Sequence, residues 1–242
     1  MAVHIGPAFP ADRHRHFAVQ LLLAADSTFR IRSHPEDAWQ QFTAAVVCSN
    51  AWHEFDAPPS LLPLVFLDPV SHISRRILGL GDREAGVFPI PPAVATPLVV
   101  SLSTVQLEAS AIRSAVVTFA DACPVRALPR VDERIRQALE ILGRHPDRIL
   151  SLEEVAEQVG LSADRFRHLF REQTGTTFSA YRLWNRVVHA ARLLAMTSDL
   201  TQAAHASGFS DSAHFSRTFR LAFGLRPSEV FKSGDFRLIL CE

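Results

Sequence analysis

Arginine recurs at helical spacing in two segments of the C-terminal half of this 242-residue sequence. Arg167 and Arg171 lie in the first segment, and Arg217 and Arg220 lie in the second. Side chains three or four residues apart share one face of an α-helix, so each pair is predicted to lie on a single surface. A guanidinium group donates several hydrogen bonds from a fixed plane. The two surfaces are therefore suited to planar or anionic acceptors such as phosphate.

Both segments belong to a motif that is written twice. Phe166, Phe170, Arg171, Gly175 and Ser179 recur 49 positions later as Phe215, Phe219, Arg220, Gly224 and Ser228. In each copy a short helix and a turn with a glycine precede an amphipathic helix, which is the pattern of a helix-turn-helix unit. The units span about 151–174 and 200–223. The helix predicted between them, at 178–196, is long enough to hold them apart.

The residues predicted on the outer face differ between the two copies. In the first copy they are Ala163, Asp164, Arg167, His168 and Arg171, and in the second they are Ser212, Ala213, Ser216, Arg217 and Arg220. The outer face of the second helix in such a unit can enter the major groove of DNA. Because the two faces are different, the sequence predicts a non-palindromic site that is read by one protomer, with unequal contributions from its halves.

Residues 145–230 resemble the DNA-binding domain of the AraC/XylS family of bacterial transcription regulators. The matching text is SLEEVAEQVGLS at 151–162, FRHLFREQTG at 166–175, and GFSDSAHFSRTFR at 208–220 continuing to FGLRPS at 223–228. By position, the resemblance implies that bases are read by Asp164, Arg167 and His168 in the first unit and by Ser212, Ala213, Ser216 and Arg217 in the second. It further implies double-stranded DNA as a partner, contact with RNA polymerase, and activation more often than repression.

Three of these side chains have alternative roles. Arg171 and Arg220 are expected to contact phosphate or a helical neighbour rather than a base. Asp164 stands where the family usually has a larger or neutral residue. Its carboxylate could accept a hydrogen bond from cytosine N4, or it could pair with Arg167 and His168. The sequence leaves both roles of Asp164 open.

Charge and composition favour the C-terminal half as the part that binds nucleic acid. Net charge is zero, but residues 1–129 carry 9 Arg and 11 Asp or Glu, whereas residues 130–242 carry 16 Arg or Lys and 14 Asp or Glu. No apolar run approaches the ~20 residues of a membrane span, and the N-terminus lacks the pattern of a signal peptide. The three cysteines indicate ordinary thiols rather than a disulfide framework or a zinc site. We therefore expect a cytoplasmic protein that does not contact a membrane.

The chain is predicted to divide into domains at 1–122 and 131–242, joined by a proline-containing linker at 123–130. Short apolar and alternating runs in the first domain fit antiparallel strands of a small sheet or barrel, at 18–24, 28–32, 42–47 and 62–67. Helices are predicted at 72–80 and 101–120, separated by a proline-rich stretch at 88–97. Everything after the linker is predicted to be helical. The fold class is therefore α+β, with a small β-barrel and helices first and an all-α domain with two helix-turn-helix units second.

Histidines of the first domain could bind a ligand. His14 and His16 are predicted on one face of a strand, with Gln20 two pleats further and His53 on a later strand. Imidazoles with an amide or a carboxylate suit zinc, iron, nickel or copper. The strand pattern and these positions resemble the degenerate cupin-type sensor domain that precedes many AraC/XylS DNA-binding domains.

The glycines and the metal-binding glutamate of a full cupin are missing from this domain. We therefore assign His14, His16, Gln20 and His53 to a pocket for a small-molecule effector and assign no metal or other cofactor. A metal site and plain surface positions remain the alternatives for these residues. Residues 101–120 could form a homodimer seam, as helices at this position do in the family, or could pack on the barrel.

Two other function classes are weighed against DNA-binding regulation. The histidines could belong to a metal-dependent oxygenase or isomerase of the cupin type, fused to a DNA-binding domain. The sequence has no Ser/His/Asp set, phosphate-binding glycine loop or second catalytic carboxylate, so we expect no enzyme and no catalytic residues. The helices could instead bind another protein; binding to DNA would be recognised by its steep decrease with salt.

Overall fold

The computed structural model describes residues 1–6, 10–58, 60–104, 108–124, 130–144, 150–231 and 237–241. The chain forms two compact units. Unit 1 comprises Met1–Leu128 and Phe223–Glu242, and unit 2 comprises Pro129–Ala222. The middle of the predicted linker, 125–129, lies outside the described residues.

Unit 1 is built on strands that form two antiparallel sheets. The described strands are β1 (Ala2–Ile5), β2 (Ala11–His14), β3 (Val19–Leu23), β4 (Phe29–Arg32), β5 (Gln40–Phe42), β6 (Ala44–Val47), β7 (His53–Asp56), β8 (Leu64–Leu67), β9 (Val87–Pro89) and β10 (Arg237–Leu240). One sheet has the order β10-β1-β8-β3-β6-β9 and the other has the order β2-β7-β4-β5. All four predicted strand regions are confirmed; closure of the sheets into one barrel is not among the pairings of the described strands.

Strand β3 is buried on both faces because its alternate side chains enter two different cores. Leu21 and Leu23 pack in the core that contains the helices of unit 1, whereas Leu22 packs with Phe29 and Phe55 of the smaller sheet. Gln20 has the same parity as Leu22, so its side chain lies on the face that is turned to the smaller sheet. This placement puts a buried polar group in a mostly aliphatic interior.

The helices of unit 1 correct two predictions. Helix α1 (His72–Ile77) and the 3-10 helix Leu78–Leu80 confirm the helix at 72–80. The single helix predicted at 101–120 is wrong, because α2 (Pro92–Thr104) and α3 (Ala109–Ala122) are separated by Glu108 in an extended conformation. The proline-rich separator at 88–97 is also wrong in its second half. Pro92 occupies the first position of α2, where a missing N–H costs no hydrogen bond.

The helix predicted at 101–120 has a stripe of apolar residues along one face. The stripe residues that the structure describes pack inside unit 1. Leu102, Ile112, Val116 and Phe119 are buried in the core that α2 and α3 share with the larger sheet. Val105 and Leu107 of the stripe lie outside the described residues. Of the two roles proposed for the stripe, its described members therefore take ordinary packing within the unit.

The end of the chain corrects the prediction that everything after residue 130 is helical. Strand β10 pairs antiparallel with β1, with Ala2 opposite Leu240 and Ile5 opposite Arg237. Cys241 N also donates to the Met1 carbonyl oxygen at 3.0 Å. A single short strand has no partner near it in the sequence, and its identity depends on an edge formed by residues at the other end of the chain.

The remaining helices are predominantly those of unit 2. They are α4 (Glu133–Arg144), α5 (Leu152–Gln158), α6 (Ala163–Thr174), α7 (Phe178–Thr197), α8 (Leu200–Ala206) and α9 (Ser212–Phe223), with α10 (Pro227–Phe231) in unit 1. The two helix-turn-helix units are thus confirmed as α5–α6 and α8–α9. Helix α4 continues through Gly143 to Arg144. No helix among the described residues is both long and apolar enough to cross a membrane.

Candidate nucleic-acid interface and histidine cluster

Side-chain caps and a glycine turn position α6. Ser151 accepts from the amide of Glu154, and the carboxylate of Glu154 accepts from the amide of Ser151. These two hydrogen bonds form a capping box at the start of α5. Gly160 has a φ of 68°, a left-handed conformation that glycine adopts without strain. Ser162 then accepts from the amide of Arg165 at 3.4 Å and caps α6. The entry to α6 is therefore fixed by local interactions that the sequence encodes.

Helix α6 separates a buried aromatic face from an exposed polar face. Phe166 and Phe170 are fully buried, with ring centroids 5.5 Å apart. The predicted base-reading and phosphate-contacting residues of this unit are all exposed: Asp164, Arg167, His168 and Arg171. Asp164 accepts a hydrogen bond from Arg167 Nη1 at 2.5 Å. The structure thus contains the ion pair of Asp164 with Arg167, which is one of the two roles expected for Asp164. The exposed side chains of α6 lie on one surface.

The second unit repeats this construction with a different cap. Gly208 has a φ of 75° at the turn. Asp211 Oδ1 accepts from the amide of His214 at 2.6 Å, so Asp211 caps α9. This hydrogen bond is the first cause of the lowered pKa of Asp211. Phe215 and Phe219 are buried beneath the helix, in the positions that Phe166 and Phe170 occupy in the first unit.

The outer face of α9 is less charged than that of α6. Ala213, Arg217 and Arg220 are exposed, whereas Ser212 and Ser216 are half-buried. Ser216 Oγ donates to the carbonyl oxygen of Ser212 at 2.8 Å, so its proton is used within the helix and its oxygen remains an acceptor. Two arginines and no carboxylate belong to α9, and this face is suited to donate hydrogen bonds to an anionic or acceptor-rich surface.

Arg186 supports the turn of the second unit and was missed at the sequence level. Its Nε donates to the Ser207 carbonyl oxygen at 3.0 Å, and Nη2 donates to the carbonyl oxygen of Gly208. Its guanidinium carbon lies 4.5 Å from the centroid of the Phe209 ring. Burial, followed by the nearby charge of Arg182, lowers the pKa of Arg186. The partners lie more than twenty positions away, and no sequence pattern connects them with an arginine in the middle of α7.

The four residues assigned to the effector pocket lie together in unit 1. His14 and His53 are directly paired across β2 and β7, with ring centroids 4.1 Å apart. The ring of His16 is 5.6 Å from that of His14 and 5.2 Å from that of His53. His16 Nε2 lies 3.0 Å from Gln20 Oε1. All four side chains are buried, so the surface alternative does not hold for them.

Burial keeps these imidazoles neutral. It is the main cause that lowers the pKa of His14 to about 3, and the neighbouring His16 lowers it further. Burial also lowers the pKa of His16. The pKa of His53 is well below its usual value, first through burial and then through the charges of His14 and His16. A neutral imidazole has a lone pair on one nitrogen, so the cluster can act as a set of ligands or hydrogen-bond acceptors.

Gly224 packs against this cluster within unit 1. Its carbonyl oxygen accepts from the amide of Asp12 at 3.0 Å. A Cβ atom at this position would lie 2.3 Å from the Asp12 carbonyl oxygen and 2.6 Å from His14 Nδ1. Since real Cβ atoms do not approach so closely, only glycine fits here, and its absence of a side chain allows β2 to hold His14 in place.

The helical region of the chain is similar to known transcription regulators. A family described as "Helix-turn-helix domain" matches residues 155–233. The arabinose operon regulatory protein of Escherichia coli (strain K12) is 35% identical over 108 residues, which cover 44% of this chain and 37% of that protein. Transcriptional activator NphR of Rhodococcus is 30% identical over 159 residues, covering 64% of this chain and 44% of that protein. The chain therefore spans less than half the length of these two relatives.

The fold is also similar to a solved structure over most of the chain. Unsaturated fatty acid-bound ToxT from Vibrio cholerae strain SCE256 has a TM-score of 0.59 at 12% identity, and the match covers 95% of this chain and 93% of that chain. At this identity the similarity shows the fold alone: a β-rich N-terminal part followed by a helical part. The cupin-like character of the first part stays a prediction. The double helix-turn-helix region of this chain is therefore a helix-turn-helix domain of the AraC type.

Proposed function

We propose that this protein is a sequence-specific DNA-binding regulator of transcription and that it acts as an activator. The observation that carries the proposal is the pair of helix-turn-helix units whose second helices, α6 and α9, bury phenylalanines on one side and expose arginines on the other. The relatives support it, because one is named as an operon regulatory protein and another as a transcriptional activator. Enzymatic activity is not part of this proposal.

In the proposed complex, α6 and α9 enter neighbouring major grooves on one side of B-form DNA. Base contacts come from Asp164, Arg167 and His168 of α6 and from Ser212, Ala213, Ser216 and Arg217 of α9. Arg171 and Arg220 contact phosphate, which fixes the register of each helix without reading sequence. The two faces differ in charge and in size, so each reads a different half-site.

Unit 1 is proposed to bind a small ligand that controls the activity of the protein. The buried polar group formed by His14, His16, Gln20 and His53 is the proposed site, because it is the place where convergent polar side chains interrupt an aliphatic interior. The Vibrio cholerae protein with a similar fold has been solved with an unsaturated fatty acid bound. A protein of this fold can therefore bind a small ligand, and we propose that unit 1 of this chain does so with a ligand suited to its own side chains.

An activator acts on transcription, so the proposal includes contact with RNA polymerase. It also includes a cytoplasmic location and leaves a homodimer to be tested. A homodimer through 101–120 would have to use the exposed and half-buried residues of this region, such as Ser103, Ser114 and Val117, because its largest described apolar residues are buried in unit 1. Light scattering of the full chain, alone and with DNA, measures its molar mass and therefore shows whether it forms a dimer.

The test of DNA binding is selection of bound sequences from a random pool, followed by hydroxyl-radical footprinting of the best site. We expect two protected stretches about 10 base pairs apart on one face of the duplex, and an affinity that falls steeply with salt. Arg217→Ala should weaken binding, whereas the control Arg144→Ala, in an exposed arginine of α4, should not. Protection of one groove only would contradict the two-unit arrangement. Salt-independent binding to a protein partner, without DNA binding, would favour an interaction module.

A further inference from the structure

We propose that His14, His16 and His53, with Gln20 as a fourth ligand, bind a divalent first-row transition-metal ion in the interior of unit 1. The inference deepens the proposed sensing role by naming the chemical class of the ligand. It is tested on the protein without DNA, so a failed metal titration leaves DNA binding untouched, and a failed footprint leaves the metal site untouched.

The side chains of the three histidines converge in the interior of unit 1. The ligand atoms that the three histidines offer all lie within 4.8 Å of one another, and all three residues are buried. Zinc–nitrogen bonds of 2.0–2.1 Å in tetrahedral geometry require nitrogens about 3.3 Å apart. Separations of up to 4.8 Å would therefore have to shorten when an ion binds. His14 and His53 are additionally held opposite each other by the pairing of β2 with β7.

Backbone carbonyl oxygens orient the three imidazole rings. The Nδ1 atom of each ring contacts a backbone carbonyl oxygen: that of Asp12 at 2.7 Å for His14, that of Ala18 at 3.0 Å for His16, and that of Ala51 at 3.1 Å for His53. A carbonyl oxygen only accepts, so the proton must be on Nδ1 in all three rings. Each neutral ring then has its lone pair on Nε2, which is the tautomer that such carbonyls fix in metal-binding histidines.

The surroundings of the Nε2 atoms of His53 and His16 favour a cation beside them. His53 Nε2 is buried and forms no hydrogen bond with any described residue. His16 Nε2 faces Gln20 Oε1 while its Nδ1 already donates to a carbonyl, so a neutral ring would place a lone pair opposite an acceptor. Rotation of the Gln20 amide would satisfy His16 but not His53. A cation among the three Nε2 atoms and Gln20 Oε1 would satisfy all of these groups at once.

The ligand set selects the class of metal. Three imidazoles and one amide suit zinc, copper, nickel or iron, whereas calcium and magnesium prefer sites rich in carboxylates. No carboxylate belongs to the cluster found among the described residues. The buried cysteines are separate from it, so a thiolate is not expected as a ligand.

The experiment is a titration of the untagged full chain, freed of metal by a chelator, with Zn²⁺ and with Co²⁺. We expect one equivalent of either ion by equilibrium dialysis and elemental analysis, and visible Co²⁺ bands without a thiolate charge-transfer band. His53→Ala and His16→Ala should each weaken binding at least tenfold. His72→Ala, in an exposed histidine at the start of α1, is the matched control and should retain full binding.

The wild-type protein provides a test that does not depend on how the variants fold. In long-range ¹H–¹⁵N spectra, added Zn²⁺ should shift the Nε2 resonances of the three histidines and leave Nδ1 protonated. Binding of less than a tenth of an equivalent by the wild-type chain would overturn the proposal. So would coordination shifts at Nδ1, an intense thiolate band with Co²⁺, or unchanged binding in folded His53→Ala.

Discussion

Helices α6 and α9 have equivalent interiors and different exteriors. Each is twelve residues long, follows a side-chain cap and precedes a glycine with a φ near +70°. Each buries two phenylalanines four positions apart. On the outside, α6 has three arginines and two carboxylates, whereas α9 has two arginines and no carboxylate. The repeat therefore retains the residues that make a helix-turn-helix unit, while the surfaces that can meet DNA differ.

The exteriors differ most at one arginine of each helix. Arg167 of α6 is already paired with Asp164 in the structure. Arg217, which is proposed to read bases from α9, forms no ion pair with a described residue, although its charge helps to lower the pKa of Asp211. An exposed pair is worth only about 0.2–1 kcal/mol, but Arg167 must give it up to contact DNA with its full hydrogen-bonding capacity. We infer that α9 contributes more to affinity than α6.

The largest expected effect tests whether the two interiors are equivalent. Phe166→Ala and Phe215→Ala should each lower the free energy of unfolding of the helical region by about 3–5 kcal/mol, because each removes a fully buried ring. Urea denaturation followed by circular dichroism measures both. Leu221→Ala, at a side chain that is 74% exposed on α9, should change it by less than about 0.5 kcal/mol. If only one of the two substitutions lowered the free energy of unfolding, the interiors of the two units would not be equivalent.

The next effect tests the difference between the exteriors. Arg217→Ala should reduce affinity for the selected DNA site by about 1–3 kcal/mol and relax specificity at particular bases. The double variant Asp164→Ala/Arg167→Ala, which removes the whole ion pair, should lose less. Fluorescence anisotropy with a panel of single-base variants of the site measures both quantities. A uniform loss over all sequences would assign Arg217 to phosphate, and a larger loss for the double variant would reverse the order of the two helices.

A smaller effect separates the two roles of Asp164. Asp164→Asn removes the charge that holds Arg167, so affinity for DNA should rise by less than about 1 kcal/mol. If Asp164 instead accepts a hydrogen bond from cytosine N4, affinity should fall and the preference at one base pair should change. Binding to the selected site and to a variant at that base pair distinguishes these outcomes. Glu172→Gln, which removes an exposed carboxylate at the far end of α6, is the control for charge alone.

A further effect of similar size concerns the caps, which are a carboxylate on α9 and a hydroxyl on α6. The folded pKa of Asp211 is lowered, so its stabilisation is present above the unfolded value of about 3.9 and is lost as the pH falls through the folded pKa. The Tm advantage of the wild type over Asp211→Ser should therefore shrink between pH 7 and pH 3. Ser162→Ala should cost about 1 kcal/mol with little dependence on pH. An Asp211→Ser deficit that is constant with pH would contradict the charged cap.

Local chemistry made the helical region readable from the sequence. The signals of this region all act within a few residues. They are the capping box at Ser151, the turn glycines at 160 and 208, and the spacing of Phe166, Phe170, Phe215 and Phe219. The same reasoning failed for 101–120 and for 88–97. The apolar periodicity at 101–120 continued past the residue at which the structure interrupts the helix, Glu108. Prolines that were expected to separate elements instead begin α2 and lie within it.

The sequence by itself determined the two helix-turn-helix units and the residues on their outer faces, because helix periodicity, caps and glycine turns are local. Only the tertiary structure decided which of these residues pair, as Asp164 does with Arg167, and that Arg186 braces the second turn from twenty residues away. It also paired β10 with β1 across the whole chain and brought His14, His16 and His53 together. These contacts depend on strand register and on burial, which no short stretch of sequence specifies.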